Sequence, residues 1–412
     1  MRVKCKFCNT RIKNVTFDLG NSAASNSLIF KEFYLESENT FPLVLYTCPK
    51  CFLVQIEEQL SGAEIFNKDY VYFSSMSLYW VSHAKKYSDE IINRLKLDSS
   101  SFVVEIASND GYLLKNFVER GVGCLGIEPA KGTAAAAELV GVPTLVEFFN
   151  LKLAEKLRSE GKQADLIIAN NVLAHVPSIN DFILAFKRLL KLEGTITVEF
   201  PHLLSMVEQK EFDTIYHEHF FYFSLFTLKH IFSEHGLSIY DVDELETHGG
   251  SLRIYVTHQG NFLDKKSDKK NVNQVIGKEL NNKMNSIEFY SRIKKDALNI
   301  KLKALEYLIK EKNMGGKIIA FGAAAKGNTF LNYSGIKSDI IDFVVDETPY
   351  KIGKFMPQSK IPIYSFDKIA EERPDVIVIL PWNHKKEIME KLLFTKQWNA
   401  KLVVFIPELE VF

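Results

Sequence analysis

Two C-x2-C turns have residue types and spacing that can do chemistry: Cys5 with Cys8, and Cys48 with Cys51. Each turn presents two thiolates at the spacing of zinc ligands, and two turns complete a tetrahedron. In a large protein this pattern favours a structural zinc site over a redox pair or chance spacing. Because four thiolates leave no open coordination position, we expect the metal to organise the fold. Cys124, in an apolar run, is expected to be a small core residue.

The segment 213–222, with sequence DTIYHEHFFY, concentrates polar and aromatic side chains. Tyr216, Glu218 and His219 can be read as metal ligands, as solvated residues at a strand edge, or as an acid–base centre. The H-E-H spacing lacks the i, i+4 pattern of a helical zinc site. A neutral imidazole is a competent base near pH 7, and a carboxylate or tyrosine can orient it. His175 follows a predicted strand, where it either starts a helix or faces a ligand.

The turn EIASNDG, from Glu105 to Gly111, follows the apolar strand FVVEI and predicts a cofactor site. The small Ala107 and the flexible Gly111 allow a ligand to approach the backbone closely, and Asn109 adds a polar group. Glu128 ends the next strand, where a carboxylate can accept hydrogen bonds from ribose hydroxyls.

Two details favour S-adenosylmethionine over a dinucleotide or a sheet without a ligand. Glu105 lies inside the first strand, as in class I methyltransferases, and the turn has no glycines dedicated to a pyrophosphate. A sulfonium cofactor has no phosphates to bind. Phe148 is expected near the adenine, and Asn170, at the end of a later strand, completes the candidate set.

The elements that must position these residues alternate between strand and helix. Apolar strands with helices between them predict a parallel, doubly wound sheet across residues 67–261. A Lys/Asn-rich connector of one or two helices follows, and then a second α/β series that includes KIIAFG and DVIVIL. We therefore predict a zinc-binding domain at 1–66, an α/β domain of Rossmann-like fold at 67–261, whose cofactor turn resembles that of class I methyltransferases, and a second Rossmann-like α/β domain at 262–412.

Composition limits the class of protein. The 412 residues carry 51 Lys and Arg and 51 Asp and Glu, a zero net charge that argues against a nucleic-acid partner. The apolar runs are shorter than the roughly 18 residues of a membrane span. The first residues lack the apolar stretch of a signal peptide. We expect a cytoplasmic monomer with no membrane partner.

In this order, these features resemble the S-adenosylmethionine-dependent sugar C-methyltransferases of deoxysugar and polysaccharide pathways. The resemblance spans nearly the whole chain: the two C-x2-C turns, EIASNDG, YHEH, and the GAAAKGN turn at Gly322–Asn328. It implies methylation at C-3 of a nucleotide-linked 4-keto-6-deoxysugar through a base-generated enolate. The alternatives are an O- or N-methyltransferase acting on a related nucleotide sugar, and a non-catalytic zinc-containing binding protein.

The resemblance also implies roles for individual residues. His219 matches the base, and Tyr216 and Glu218 match the neighbours that position it and the sugar. His175 and Tyr70 match further pocket residues. Without the resemblance, Tyr70 reads equally well as a core aromatic.

The C-terminal domain is expected to close over the nucleotide end of the substrate. Lys326 and Asn328 lie in a Gly-flanked turn suited to a diphosphate, although a lysine there can also be a solvated helix start. The sequence departs from the family pattern at Ala107, which replaces a common glycine, and at DLGNSAASN in the first domain. These departures leave the identity of the sugar open.

Overall fold

A computed structural model describes residues 3–65 and 73–412 of the chain. Tyr70 and the predicted boundary between residues 66 and 67 lie outside these residues. Across the described residues, no helix combines the length and apolar character needed to cross a membrane.

The N-terminal domain is a small antiparallel sheet. Its elements are β1 (Val15–Ser22), β2 (Phe41–Thr47), β3 (Val54–Ile56) and the short helix α1 (Gly62–Ile65). Leu43, Leu45 and Val54 are buried in its interior. This core is small, and a domain of this size is only marginally stabilised by hydrophobic packing, so a bound metal would add to its stability.

The central domain carries the elements that hold the predicted cofactor turn and base segment. They are α2 (Leu78–Leu95), β4 (Phe102–Ile106), α3 (Lys115–Val118), β5 (Gly123–Ile127), α4 (Lys131–Leu139), β6 (Thr144–Leu145), α5 (Leu151–Ser159), β7 (Ala164–Asn170), α6 (Ile179–Leu189), β8 (Leu190–Pro201), α7 (Leu203–Glu208), β9 (Phe221–Tyr222), α8 (Leu225–Glu234), β10 (Leu237–Leu245) and β11 (Ser251–His258). The helix expected after the cofactor turn is only four residues long. Asn116 donates to the carbonyls of Tyr112 and Leu113, and such side-chain bonds compete with regular helix.

Seven of these strands form one sheet in the order β10-β11-β8-β7-β4-β5-β6. The strands from β4 to β8 in this sheet are parallel, and β11 is antiparallel to both β8 and β10. This is the class I methyltransferase arrangement, so the predicted fold class is confirmed. The strand order reverses between β4 and β7, and ligands of open α/β sheets bind at the carboxyl ends of the strands beside such a point.

Strand β9 joins the sheet of the N-terminal domain. It pairs with β3 in antiparallel register, Val54 opposite Tyr222 and Gln55 opposite Phe221. The segment 213–222 is therefore held by two domains, which the sequence did not predict.

The C-terminal part begins with three helices where one or two were expected. Its elements are α9 (Phe262–Lys266), α10 (Lys270–Asn281), α11 (Ile287–Asn313), β12 (Ile318–Phe321), α12 (Ala325–Ser334), β13 (Val344–Val345), β14 (Ile363–Tyr364), α13 (Lys368–Glu372), β15 (Val376–Ile379), α14 (Lys385–Lys391), β16 (Lys401–Val404) and β17 (Glu410–Val411). The sheet order is β14-β13-β12-β15-β16-β17, parallel except for β17. Counted along the chain this is the Rossmann order 3-2-1-4-5-6, which confirms the second α/β fold.

Candidate active site

The four N-terminal cysteines form one cluster. The sulfur atoms of Cys5 and Cys51 are 3.5 Å apart, and Cys8 is 3.6 Å from both Cys48 and Cys51. All four sulfurs lie within 4.8 Å of one another. Zinc–sulfur bonds of about 2.3 Å in a tetrahedron place the sulfurs roughly 3.8 Å apart, so the cluster fits a zinc ion.

Backbone hydrogen bonds shape the two cysteine turns. The amide of Asn9 donates to the Cys5 carbonyl and that of Phe52 donates to the Cys48 carbonyl, both at 3.0 Å. The hydroxyl of Thr227, on α8, donates to the carbonyl of Cys51 at 3.1 Å. The cysteine cluster is thus bonded directly to the central domain.

The cofactor turn, residues 107–111, leaves β4 through three left-handed residues. Their φ angles are 55° at Ala107, 51° at Asn109 and 76° at Gly111. A Cβ at Gly111 would lie 3.2 Å from the Cα of Ala137 on α4, so both its conformation and its packing favour glycine. Ala107 takes the same kind of conformation without that freedom, which costs about 1–2 kcal/mol.

We expect Ala107→Gly to stabilise the protein by roughly 0.5–1 kcal/mol, because relief of the left-handed strain exceeds the added entropy of the unfolded chain. Ala135→Gly is the matched control, since Ala135 is exposed within α4 and has an ordinary helical conformation. Thermal unfolding of both variants checks this. Equal destabilisation by the two substitutions would show that the turn at Ala107 is not strained.

Two carboxylates lie at the cofactor turn. The oxygens of Glu128 accept hydrogen bonds from the amides of Asn109, at 3.0 Å, and Ala130, at 2.9 Å. Glu105 is buried within β4, and burial together with the charge of Glu128 raises its pKa. Burial also raises the pKa of Glu128. A pair of closely spaced, desolvated acids favours a cation or hydroxyl donors as the ligand.

The residues before α2 cover the cofactor turn. The amide of Ser74 donates to the Asn109 side chain at 2.9 Å, and that of Ser75 donates to Asp110 at 3.0 Å. Asp110 was not among the predicted ligands, although it lies in the quoted turn. Phe148 is 45% exposed and packs beside Gly62, so one side of its ring faces solvent.

Several buried oxygens around this edge have no hydrogen-bond partner among the residues that the structure describes. They belong to Glu105, Ser108, Asp110, Asn170 and Asn171. Unsatisfied buried oxygens are uncommon in folded proteins, and here they converge on the carboxyl ends of β4 and β7. The predicted candidate Asn170 belongs to this set, and the adjacent Asn171 was missed.

His219 is held by two hydrogen bonds. Its Nδ1 lies 3.0 Å from the Thr214 carbonyl and its Nε2 lies 2.8 Å from the Tyr216 hydroxyl. A carbonyl can only accept, so Nδ1 carries the proton and Nε2 is the basic nitrogen that accepts from Tyr216. Burial, with a contribution from His175, holds the pKa of His219 well below its usual range. His219 is therefore a neutral imidazole with an oriented lone pair.

The predicted pocket histidine lies beside the base. The ring centroids of His175 and His219 are 4.8 Å apart, and those of Tyr216 and His219 are 4.0 Å apart. The amide of Phe220 donates to the Ala174 carbonyl at 2.7 Å, which ties the base segment to the loop after β7. The structure thus brings three predicted residues together at the carboxyl edge of the central sheet.

Glu218 has a different neighbour from the one that its predicted role suggests. Its carboxylate accepts a 2.6 Å hydrogen bond from Asn26 of the N-terminal domain. Burial raises the pKa of Glu218 to about 7. The carboxylate therefore bonds to the N-terminal domain, whereas His219 is bound by Thr214 and Tyr216.

The C-terminal turn packs against the base segment. The Lys326 ammonium is buried and lies 4.5 Å from the ring centroid of Trp382, whose indole nitrogen donates to Asp213 at 2.8 Å. The positive charge of Lys326 also contributes to lowering the pKa of His219. Asn328 is 0% exposed, and both polar atoms of its side chain lack a partner among the described residues.

A buried ionic group that the sequence did not reveal lies at the end of β8. Glu199 pairs with Arg253 at 2.7 Å and contacts His83 at 3.0 Å. Arg253 lies 4.4 Å from the ring centroid of Tyr87, and the Thr247 hydroxyl donates to Glu199 at 3.3 Å. The group fixes α2 and the turn after β10 at the same sheet edge.

The seven-stranded sheet and the acidic turn at its switch point define a class I methyltransferase. Family models match the chain in three parts. Residues 5–66 match a "Putative zinc binding domain", residues 80–242 a methyltransferase domain, and residues 246–407 a C-methyltransferase C-terminal domain.

The chain is 28% identical to the C-methyltransferase NovU of Streptomyces niveus over 406 residues, 98% of this chain and 96% of that protein. Together with the domain matches, this similarity supports the S-adenosylmethionine-dependent C-methyltransferase family that the sequence resemblance suggested.

Solved structures resemble the chain only in part. Magnesium protoporphyrin IX methyltransferase from Synechocystis, with bound SAH, matches 48% of this chain and 92% of its own at 15% identity and a TM-score of 0.35. The CcbJ methyltransferase from Streptomyces caelestis matches 43% of this chain and 90% of its own, at 10% identity and a TM-score of 0.35.

Proposed function

We propose that this protein methylates C-3 of a nucleotide-linked 4-keto-6-deoxysugar through an enolate. The observation that carries the proposal is the orientation of His219, whose Nδ1 is bound to the Thr214 carbonyl so that a neutral Nε2 is presented as a base. The 28% identical relative, NovU, bears the name of a C-methyltransferase, which agrees with this chemistry.

The cofactor fits the turn after β4. Glu128 is placed to accept from ribose hydroxyls, because a carboxylate keeps acceptor capacity beyond its two backbone bonds. Asp110 and Asn170 supply further unpartnered oxygens, and the half-exposed Phe148 offers a ring face for the adenine. When bound there, S-adenosylmethionine supplies an electrophilic methyl group.

The substrate fits between the central and C-terminal domains. Lys326 provides a buried positive charge and Asn328 a buried amide, both without protein hydrogen bonds among the described residues. A diphosphate would satisfy them by charge-assisted hydrogen bonds. The sugar then extends toward His219 and His175, so the domains are proposed to close on the nucleotide end.

The base step follows from the hydrogen bonds of His219. A substrate C–H can reach Nε2 once the Tyr216 hydroxyl gives up its bond to that nitrogen. Nε2 takes the C-3 proton, and the C–H electron pair delocalises onto the ketone oxygen. With S-adenosylmethionine held at Glu128 and the turn after β4, that carbon would receive the methyl group, and the electron pair of the S–CH3 bond would stay with sulfur. Alignment of the sugar carbon with the methyl group within the closed site would supply much of the rate enhancement.

Deuterium exchange tests the enolate directly. In D2O without methyl donor, the enzyme is expected to exchange the C-3 hydrogen of a nucleotide 4-keto-6-deoxysugar, which mass spectrometry detects. A panel of nucleotides and sugars defines the substrate. Methyl transfer to a sugar whose C-3 hydrogen never exchanges would contradict the proposal and favour an oxygen or nitrogen acceptor.

Glu128→Gln is expected to weaken S-adenosylhomocysteine binding by roughly 10–100-fold, because hydrogen bonds to charged groups are worth about 1.5–3 kcal/mol. Isothermal titration calorimetry measures the effect. Glu138→Gln, an exposed position on the adjacent α4, is the matched control and should bind normally. Unchanged affinity in Glu128→Gln would remove Glu128 from the cofactor site.

A further inference from the structure

The turn between β10 and β11 contains three successive left-handed residues. Their φ angles are 55° at His248, 88° at Gly249 and 130° at Gly250. Glycine adopts such conformations freely, but histidine does so at a cost. Strained residues of this kind persist where the surroundings hold them, and they cluster at functional sites.

The surroundings hold this turn tightly. Gln209 donates to the Gly249 carbonyl, and a Cβ at Gly249 would overlap the Glu211 carboxylate. A Cβ at Gly250 would lie 2.6 Å from the Ser205 hydroxyl. The conformation of His248 is thus imposed by fixed neighbours.

The turn lies at the catalytic edge of the central sheet. Strand β11 begins opposite the end of β8, with Ser251 paired to Pro201, and the amide of His202 donates to the Gly250 carbonyl at 2.9 Å. The ring of His248 lies 5.0 Å from that of Trp80. A charge on His248 would lower the pKa of His219, so the two imidazoles share one electrostatic environment.

Some donors near the base are already engaged within the protein, and the Asn328 amide is assigned above to the diphosphate. The Tyr216 hydroxyl donates to His219, whose Nδ1 proton is bound by Thr214, and the Lys326 ammonium lies on the Trp382 ring. The imidazole of His248 has no hydrogen-bond partner among the residues described. Burial, with the positive charge of Lys326, lowers the pKa of His248 to about 3, so it is a neutral ring with one N–H donor.

We propose that His248 donates a hydrogen bond to the ketone oxygen of the substrate and stabilises the enolate that His219 generates. This inference rests on the proposed function. A neutral imidazole is suited to the role, because it can polarise a carbonyl without first giving up its proton. The imposed backbone conformation keeps the donor oriented before negative charge develops on the ketone oxygen. A donor that is preorganised in this way stabilises that charge without a further rearrangement.

The test is C-3 deuterium exchange without methyl donor, in wild type, His248→Gly and His248→Asn. Glycine keeps the backbone conformation and removes the donor. Its exchange rate should fall roughly 10²–10³-fold, the range seen when one oxyanion donor is removed. Thermal stability should not fall, because glycine relieves the left-handed strain, and S-adenosylhomocysteine affinity should stay near wild type. Asparagine tolerates the left-handed region and keeps an N–H, so it should restore part of the rate.

The outcomes separate this inference from the function on which it rests. Exchange in His248→Gly at the wild-type rate would overturn the role of His248 and leave enolate chemistry intact. A wild-type enzyme that methylates the sugar without any exchange would overturn the proposed function itself. Equal losses of exchange rate in His248→Gly and His248→Asn, with stability unchanged, would also count against a donor role. The reason is that the asparagine amide supplies an N–H donor and glycine does not.

Discussion

His219→Ala is expected to lower turnover by roughly 10²–10⁴-fold, the contribution of a positioned general base. The substitution removes the only nitrogen of this residue that can accept the C-3 proton, Nε2, which Tyr216 now occupies at 2.8 Å. S-adenosylhomocysteine affinity should not change, because the cofactor turn contacts other residues. Steady-state kinetics and calorimetry on the same sample measure both quantities.

Two companion variants sharpen this result. Tyr216→Phe removes the hydroxyl bonded to Nε2 and leaves the base, so its loss of turnover should be smaller. His230→Ala replaces an exposed histidine on α8 and should retain wild-type turnover. Turnover of His219→Ala within tenfold of wild type would assign the proton transfer to another group.

Cys48→Ser is expected to cause a large loss of stability before any specific loss of chemistry. Structural zinc sites contribute roughly 10–16 kcal/mol in small domains, comparable with the whole stability of an ordinary protein. The metal also supports β3, on which β9 of the base segment pairs. The measurements are zinc content, soluble yield and thermal unfolding, and a strong chelator should reproduce the effect in the wild-type protein.

Cys124→Ser is the matched control, because Cys124 is a buried cysteine on β5 outside the cluster. It should retain zinc and lose far less stability than Cys48→Ser. A Cys48→Ser protein that is stable but inactive would contradict a structural role for the metal. So would a wild-type protein without bound zinc.

Local sequence patterns predicted where much of the candidate site lies in the fold. The C-x2-C turns and the cofactor turn are short, so residue identity and spacing nearly define their geometry. The position of Glu128 was predictable because it follows an apolar parallel strand, and such strands end at the same edge of the sheet. The second Rossmann-like sheet followed from its apolar strands, which are buried on both faces.

Features that depend on distant contacts were missed. Strand β9 has two residues and its partner β3 is far away in the chain, so no local pattern marks the pair. The strands β10 and β11 carry Asp241, Asp243 and Arg253, so their sequences are polar enough to resemble a loop. The two strands pair because the opposite face of the hairpin packs on the core. The proposed role of His248 depends on a backbone conformation that neighbouring elements impose, which no local pattern predicts.

The central claim, transfer to carbon, is tested most directly by the position of the transferred methyl group. The enzyme is given S-adenosylmethionine labelled with ¹³C at the methyl group and a nucleotide 4-keto-6-deoxysugar, and the product is examined by NMR. The account predicts a labelled methyl signal in the alkyl region, correlated with C-3 as a carbon that has lost its hydrogen. A labelled signal in the methoxy or N-methyl region, with the C-3 hydrogen retained, would contradict it.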